Sequence, residues 1–347
     1  MRSFVGLDVS QATTAICVVD EEGRTLAEGK VPTCPRAIAA FVRSQAPGLV
    51  RIGLETGPLA VWLFGALRQD GLPVICLDAR HANAGLALMP NKTDRNDAAG
   101  IAQIVRTGWF RQVHVRSEAS YVVRARLAAR TTLVRQRCEV DNQIRGLLKT
   151  FGILIGKTPG GLRKRAAEIA GGELAHQPEL AQLVRMLLAL RETLCDQIAD
   201  LDRQLIRQAR AIPVCRRFMT VPGVGVVVAL SVWAAIDDPG RFAKSPSVGA
   251  YLGLTPRRYA SGEIDRQGRI TKRGDPVVRT HLYEAANVLL TRIEGFSVLK
   301  AWGLKIAKRS GFKKAKVAVA RKLAIILHRI WRDGTEFRWG KEVPQAA

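Results

Sequence analysis

A run of apolar residues at helical spacing constrains the middle of this chain more than any other feature. Leu180, Leu183, Leu187, Leu190, Leu194, Ile198, Leu201 and Leu205 follow one another in steps of three and four, close to a heptad seam. Such a run predicts one long helix with an apolar stripe. Residues 119–151 repeat the pattern less cleanly, through Val123, Leu127, Val134, Cys138, Val140, Ile144, Leu147 and Phe151. The segment between them, 156–176, is rich in Gly, Lys and Arg and reads as a connector. The two helices form either a hairpin or a coiled coil that joins two subunits, and the spacing leaves both open.

The period is different upstream. Residues 3–9 (SFVGLDV), 14–20 (TAICVVD) and 24–30 (RTLAEGK) read as three short strands, with a turn at Asp20-Glu21-Glu22-Gly23. A helix around 35–46, a strand from Leu49 to Glu55, a helix over 58–70 and a strand at 73–77 follow. Antiparallel strands followed by alternating helices and strands predict an α/β domain with a mixed sheet. After Ile212-Pro213 a third, mainly helical region begins, with helices expected up to about 236 and over 276–292. At 347 residues the chain is long for one core. The pattern divides it at 1–115, 116–212 and 213–347, so the fold class is α/β followed by all-α.

Charge separates these regions. The chain has 54 Lys and Arg against 30 Asp and Glu, a net +24, yet residues 1–100 hold ten basic and ten acidic side chains. The whole excess falls in residues 101–347, and 300–332 carry eleven Lys or Arg and no acid. Neutralising backbone phosphates is the main use of such an excess, which points to nucleic acid. An acidic membrane surface is the alternative, but no lipid-anchor signal accompanies the charge. Cysteines at 17, 34, 76, 138, 195 and 215 have no C-x-x-C spacing, which argues against zinc and against a disulfide scaffold. No apolar run approaches a membrane span, and MRSFVGLDVS runs straight into a strand pattern without a signal peptide. A cytoplasmic, nucleoid-associated protein is expected.

Four carboxylates occupy positions that can converge. Asp8 ends the first strand and Glu55 the fourth, while Asp94 and Asp97 stand at i and i+3 at the start of a helix. Hard cations such as Mg²⁺ or Mn²⁺ take carboxylate and phosphate oxygens, and a pair of them stabilises both the attacking and leaving oxygens of phosphoryl transfer. Each residue also has a plainer reading. Asp94 and Asp97 suit a helix N-terminus, and Asp8 suits a turn. Against that, an unpaired carboxylate after the buried run FVGL is costly.

Further along, Tyr259-Ala260-Ser261-Gly262-Glu263 precedes GRITKRGD (268–275). A serine beside glycine in an exposed loop can approach a phosphate, with Arg257, Arg258, Arg269, Lys272 and Arg273 nearby to bind it. Serine needs an activator, and the nearest histidine in sequence is His281. An ordinary polar turn is the competing reading. Gly223 and Gly225, in VPGVG, read either as a phosphate-holding hairpin or as a tight helix–helix turn. Lys313, Lys314 and Lys316 lie in the acid-free tail and read as phosphate contacts.

Together, GLDVS, LET, KTDRNDA, VPGVG, YLGLTP, SGE and GRITKRGD resemble the DEDD-type insertion-sequence transposases, the bridge-RNA-guided recombinase group, from residue 3 to about 295. The resemblance implies an RNase H-like (RuvC-like) domain over 1–115 with Asp8, Glu55, Asp94 and Asp97 as Mg²⁺ or Mn²⁺ ligands. It implies a helical coiled-coil region over 116–212, and over 213–347 a transposase domain with a basic tail and a nucleophilic serine. By position that serine is Ser261; Ala260 stands where some relatives have a second hydroxyl residue. DNA ends and target, a structured guide RNA and a homo-oligomer, dimer or higher, are the implied partners, without a membrane. The acidic site beside Ser261, within one subunit or across two, would supply the missing activator. Two rival readings stand beside this one: a metal-dependent, junction-resolving nuclease in which Ser261 is structural, and a non-enzymatic basic DNA-binding protein.

Overall fold

The first strand is apolar on both faces, and helices cover both. In the computed structural model, which describes residues 1–340 apart from 88–90, 157–158, 170–171, 173 and 175, the chain divides into two units, Met1–Arg116 and Ser117–Ala347.

The first unit holds β1 (Ser3–Val9), β2 (Thr13–Val19), β3 (Thr25–Pro32), α1 (Pro35–Gln45), β4 (Leu49–Glu55), α2 (Ala60–Gln69), β5 (Val74–Leu77), α3 (Ala79–Leu86) and α4 (Asp94–Thr107). The strands lie in the order β3-β2-β1-β4-β5. β1, β2 and β3 pair antiparallel, whereas β4 runs parallel to β1 and β5 parallel to β4, so the sheet is mixed. Alternation along the strands assigns each residue to a face. Val5, Leu7, Ile16, Val18, Ile52 and Leu54 pack with Ile38 and Val42 of α1 and Leu63 and Leu67 of α2. Phe4, Ala15, Cys17, Val19 and Leu77 pack on the other side with Ala98, Ile101, Ala102 and Val105 of α4. Burial on both faces explains why these strands read as near-continuous apolar runs.

The second unit is built on α5 (Glu118–Thr150) and α7 (Pro178–Ala211). They run antiparallel within the chain: Arg126 bonds Gln208, Arg130 bonds Asp202 and, further along, Asp141 pairs with Arg191. The last pair is buried at 2.6 Å and fixes the register of the hairpin. The buried line of α7 differs from the expected seam. Leu180, Ala181, Val184, Arg191, Leu194, Leu205 and Ala209 are buried, but Leu183 and Leu190 are about half exposed. The leucines of α7 occupy more than one stripe, and the register set by Asp141–Arg191 selects which stripe faces α5. The expected connector contains a helix, α6 (Pro159–Glu168), whose Leu162 and Ala166 join Ile144, Leu148 and Val184 in a small separate core.

The rest follows as α8 (Pro213–Phe218), α9 (Val226–Ile236), α10 (Pro246–Tyr251), β6 (Pro256–Ser261), β7 (Ile264–Ile270), α11 (Pro276–Thr291), α12 (Val298–Ser310) and α13 (Phe312–Asp333). The main core joins α9, α11 and α13 with Val123 and Leu127 of α5 and Leu205 and Ala209 of α7. The expected regions 116–212 and 213–347 therefore share one core. α5 starts on a cap of its own, because Asp237 accepts from the Ser117 amide at 3.1 Å and from the Ser120 hydroxyl at 2.6 Å. No described helix is long and apolar enough to cross a membrane.

Candidate active site

Two glycines decide where the carboxylates of the first unit meet. Gly6 of β1 stands opposite Gly53 of β4. A Cβ on Gly6 would lie 2.1 Å from the Ala98 carbonyl oxygen, and one on Gly53 would lie 2.4 Å from a Val105 methyl. Their absence lets α4 lie directly on the sheet. Two residues further on, and so on the same face, stand Asp8 and Glu55. The ladder runs to Leu7 opposite Leu54, which leaves Asp8 and Glu55 side by side at the strand ends. The first turn of α4 supplies Asp94 and Asp97; Thr93 caps it by accepting from the Asn96 amide at 3.1 Å.

Asp8 and Glu55 each feel burial and the charges of neighbouring carboxylates. Burial raises the Asp8 carboxyl above its ordinary range, and the charges of Asp97 and Asp94 raise it further. Burial likewise raises Glu55, with help from Asp8 and Asp97. One Glu55 oxygen, Oε1, is sealed from solvent without a hydrogen-bond partner among the described residues. Asp94 differs, since its carboxylate accepts from Lys30 Nζ at 2.9 Å and is held low by it. A neighbouring ion pair joins Arg95 to Glu28. Lys30, Glu28, Asp94 and Arg95 line a cavity of about 640 Å³ beside β2 and β3. Among the described residues no three His, Cys, Asp or Glu side chains stand close enough to hold a metal as placed. The donor set nevertheless fits a hard divalent cation in kind: it is all oxygen, mutually repelling, and has one buried oxygen without a partner.

Ser261 has the opposite setting. It ends β6 and pairs with Ile264 of β7, so Gly262 and Glu263 form a two-residue hairpin turn. Gly262 has φ +55°, as the first central position of such a turn requires. Residues 256–269 are exposed throughout. Arg258 is tied to Asp265 by two hydrogen bonds of 2.9 and 2.8 Å, whereas Arg257 and Arg269 are exposed on the same ribbon. The base of the hairpin is firmly held. The Thr271 amide donates to Thr255 O at 2.8 Å and the Lys272 amide to Gly253 O at 3.1 Å, with Lys272 at φ +56° and Arg273 following. A Cβ on Gly274 would lie 2.2 Å from Tyr251 O. Asp275 caps α11 at the Val277 and Val278 amides and pairs with Arg124 of α5. Burial alone would raise its carboxyl, but Arg124 and the two amides hold it below the ordinary range.

The remaining sequence-selected residues are also placed. Gly223 has φ +86°, and a Cβ there would lie 2.5 Å from Ala285 O, so the turn between α8 and α9 needs glycine to press on α11. Gly225 is the exposed N-cap of α9, with open space around it. Lys313 and Lys314 are exposed on the first turn of α13, and Lys316 lies over the Tyr283 and Phe312 rings at 5.5 and 5.9 Å. Sequence reasoning passed over Gly6, Gly53 and Lys30. The repeated triplets Gly6-Leu7-Asp8 and Gly53-Leu54-Glu55 carried the signal for the first two. Nothing local marked Lys30, which meets Asp94 across 64 positions of sequence.

Comparison with known proteins adds family relationships to this geometry. The family described as Transposase IS116/IS110/IS902 family matches residues 215–300, and the IS110-type DEDD transposase domain matches residues 5–153. The transposase for insertion sequence element IS1328 of Yersinia enterocolitica is 30% identical over 336 residues, which cover 96% of this chain and 98% of that protein. The transposase for insertion sequence element IS1111A of Coxiella burnetii is 28% identical over 339 residues, 97% of this chain and 92% of that one. A probable family 20 transposase of Pseudomonas aeruginosa is 28% identical over 346 residues, 97% and 99% of the two chains. The DEDD transposase domain is RNase H-like, and the mixed sheet of the first unit belongs to that α/β class.

Proposed function

The chain belongs to the IS116/IS110/IS902 family of insertion-sequence transposases, and from that premise we propose that it cuts and rejoins DNA through a covalent link between Ser261 and a backbone phosphate. Asp8, Glu55, Asp94 and Asp97 form the acidic centre of the same reaction, and the regions 1–115, 116–212 and 213–347 divide the labour of cation binding, assembly and strand transfer.

The Ser261 oxygen attacks phosphorus, the Oγ–P bond forms, and the bond from phosphorus to one deoxyribose oxygen breaks. The serine proton is lost and the departing oxygen gains one, so the step is neutral in protons. Because one phosphodiester is exchanged for another ester, a deoxyribose hydroxyl can reverse the step on a new strand without ATP. Glycine at 262 leaves the face of the turn open, so a phosphate can approach Oγ without a side chain in the way. Arg257, Arg269, Lys272 and Arg273 would hold its oxygens. A divalent cation held by the four carboxylates would polarise the scissile phosphate and stabilise charge on the oxygens that attack and leave. Asp8 and Glu55 keep a site of negative charge in a buried place, and Lys30 occupies Asp94 until a stronger cation competes for it. Lys313, Lys314, Lys316 and the turn at Gly223 and Gly225 would contact backbone phosphates away from the cut. A structured guide RNA and assembly as a homo-oligomer belong to this reading through the family resemblance.

The observation that supports the proposal most is the pair of raised carboxyls, Asp8 and Glu55, at adjacent strand ends and under the charge of Asp97, with Glu55 Oε1 buried and without a hydrogen-bond partner among the described residues. One experiment separates this reading from its rival. The protein is expressed with its element's flanking DNA, and covalent protein–DNA adducts are sought on a denaturing gel for wild type and Ser261→Ala. An adduct lost in the variant supports serine chemistry. Free ends in equal amount from both proteins, without an adduct, would move the chemistry to the carboxylates and make the chain a metal-dependent nuclease.

A further inference from the structure

A second polar constellation lies in the second unit, away in sequence from the serine hairpin. Near the 3-10 turn Pro239–Arg241 and the last turns of α13 is a cleft of about 300 Å³, whose lining includes Lys244, Ser245, Arg329, Arg332 and Asp333. Its base is unusually polar for a buried place. His328 is fully buried, with Nδ1 2.9 Å from Ser245 Oγ and Nε2 3.0 Å from the Pro239 carbonyl oxygen. A carbonyl oxygen only accepts, so Nε2 carries the hydrogen. Burial, and after it Arg332, hold His328 towards its neutral form. Nδ1 is then bare and accepts the Ser245 hydroxyl. The histidine therefore pins the 239–245 segment to α13 at two points, and Phe242 adds an edge contact to the same ring at 5.5 Å.

That clamp has a consequence for Lys244, the residue beside Ser245. It is held at the same cleft as Arg329 and Arg332, which stand at i and i+3 on α13. Among the described residues no carboxylate forms an ion pair with any of the three; Arg332 reaches only the Ala243 carbonyl oxygen, at 3.4 Å. Asp333 is the one acid in the lining. Three cations against one acid, gathered by a rigid clamp, repel one another in the free protein. An anion placed among them removes that repulsion.

We propose that this cleft seats one backbone phosphate of DNA, gripped by Arg329, Arg332 and Lys244. The guanidinium forks suit the tetrahedral oxygens of a phosphodiester, and the excess of two positive charges suits its single negative charge better than that of a protein carboxylate surface. The proposal rests on the DNA-binding part of the transposase reading and adds an anchoring point outside the serine hairpin, the turn at Gly223 and the first turn of α13. The clamp makes the seat a fixed one, and a fixed seat sets the register of the strand that it holds.

The test uses the full chain and a labelled DNA duplex, followed by fluorescence anisotropy over a salt series. The double variant Arg329→Lys/Arg332→Lys keeps the net charge and removes the forks. It should weaken binding about tenfold for one lost fork contact, with an unchanged melting temperature. Lys244→Gln, at an exposed position, should lower the slope of log affinity against log salt by about 1. If both variants bind with wild-type affinity and slope, the seat does not exist, and the transposase reading stands untouched because wild type still binds. If weakening appears on an RNA duplex of the same sequence and not on DNA, the assignment to DNA is overturned. Loss of the Ser261 adduct chemistry in the separate gel experiment would not alter these binding numbers, so the two failures are distinguishable.

Discussion

The acidic centre of the first unit and the serine hairpin of the second are built on opposite principles. The carboxylates sit where they do because the core requires it. Gly6 and Gly53 admit α4, and the same two strands end in Asp8 and Glu55. Ser261 sits on a ribbon that is exposed over residues 256–269 and anchored only at its base. The first site is thus fixed by packing and strained by its own charges, whereas the second has position without surroundings. A site of the first kind takes its shape from packing; one of the second kind takes it from whatever lies against it.

The sharpest way to break this contrast is one substitution made in both places. Gly6→Ala puts a methyl group 2.1 Å from the Ala98 carbonyl oxygen, so α4 must lift from the sheet. The expected loss is about 3 kcal/mol or more, with both the melting temperature and the acidic cluster affected. Gly262→Ala meets nothing within 4 Å and costs only the strain of φ +55°, about 1 kcal/mol and local to the turn. Equal melting temperatures for the two variants would show that α4 does not depend on Gly6, and the packing account of the acidic centre would fail.

Two aspartates give the next test, with opposite signs. Asp275 is buried but paired with Arg124 and two helix amides, whereas Asp8 is partly buried among other carboxylates. Asp275→Asn should destabilise the chain by about 2–3 kcal/mol, since it weakens a cap and leaves Arg124 without its counter-charge. Asp8→Asn should raise the melting temperature of the metal-free protein, because it removes a repulsion, and should abolish any stabilisation by Mn²⁺. A fall in melting temperature for Asp8→Asn would mean that its carboxylate has a structural partner.

The strands and the mixed sheet of the first unit were largely legible in the sequence, and the misses have physical causes. β1, β2, β4 and β5 fall within a residue or two of their expected ranges because burial on both faces leaves an apolar run with no ambiguity. The hairpin of β6 and β7 was read as a loop because none of Pro256 to Arg269 faces a core, so no alternation exists to mark the strands. On α7 the leucines marked a helix but not its phase: the Asp141–Arg191 pair buries Val184 and leaves Leu183 and Leu190 outside. The placement of Asp8 and Glu55 at strand ends and of Asp97 at a helix start was legible in the sequence. The diversion of Asp94 to Lys30 was not, since it depends on the edge strand β3 lying beside the start of α4.

Acidity sharpens the same comparison more gently. The carboxyls of Asp8 and Glu55 lie above their ordinary values of 3.8 and 4.5, so their contribution to stability is full below those values and is lost as pH rises through the raised ones. Asp275 lies below 3.8, so its contribution is full above 3.8 and is lost only as pH falls through the lower value. Between pH 7 and pH 4 the first unit should gain stability while the second stays level. Hydrogen exchange of β1 and of α11, measured at both pH values in one sample, reads the two units separately. Parallel behaviour of the two would show that the carboxylates of the first unit are not perturbed.

The smallest expected effect on stability is also the most informative about function. Ser261→Ala removes one exposed hydroxyl from a residue whose strand faces no core, so the melting temperature should shift by no more than about 0.5 kcal/mol allows. The hairpin pairing should persist as well, because Ser261 and Ile264 pair through the backbone. If that variant nevertheless loses all strand joining, the loss is chemical, because no packing or folding defect is available to explain it. If it loses stability too, Ser261 has a partner in the folded chain, and the contrast between a packed acidic centre and an unsupported serine no longer holds.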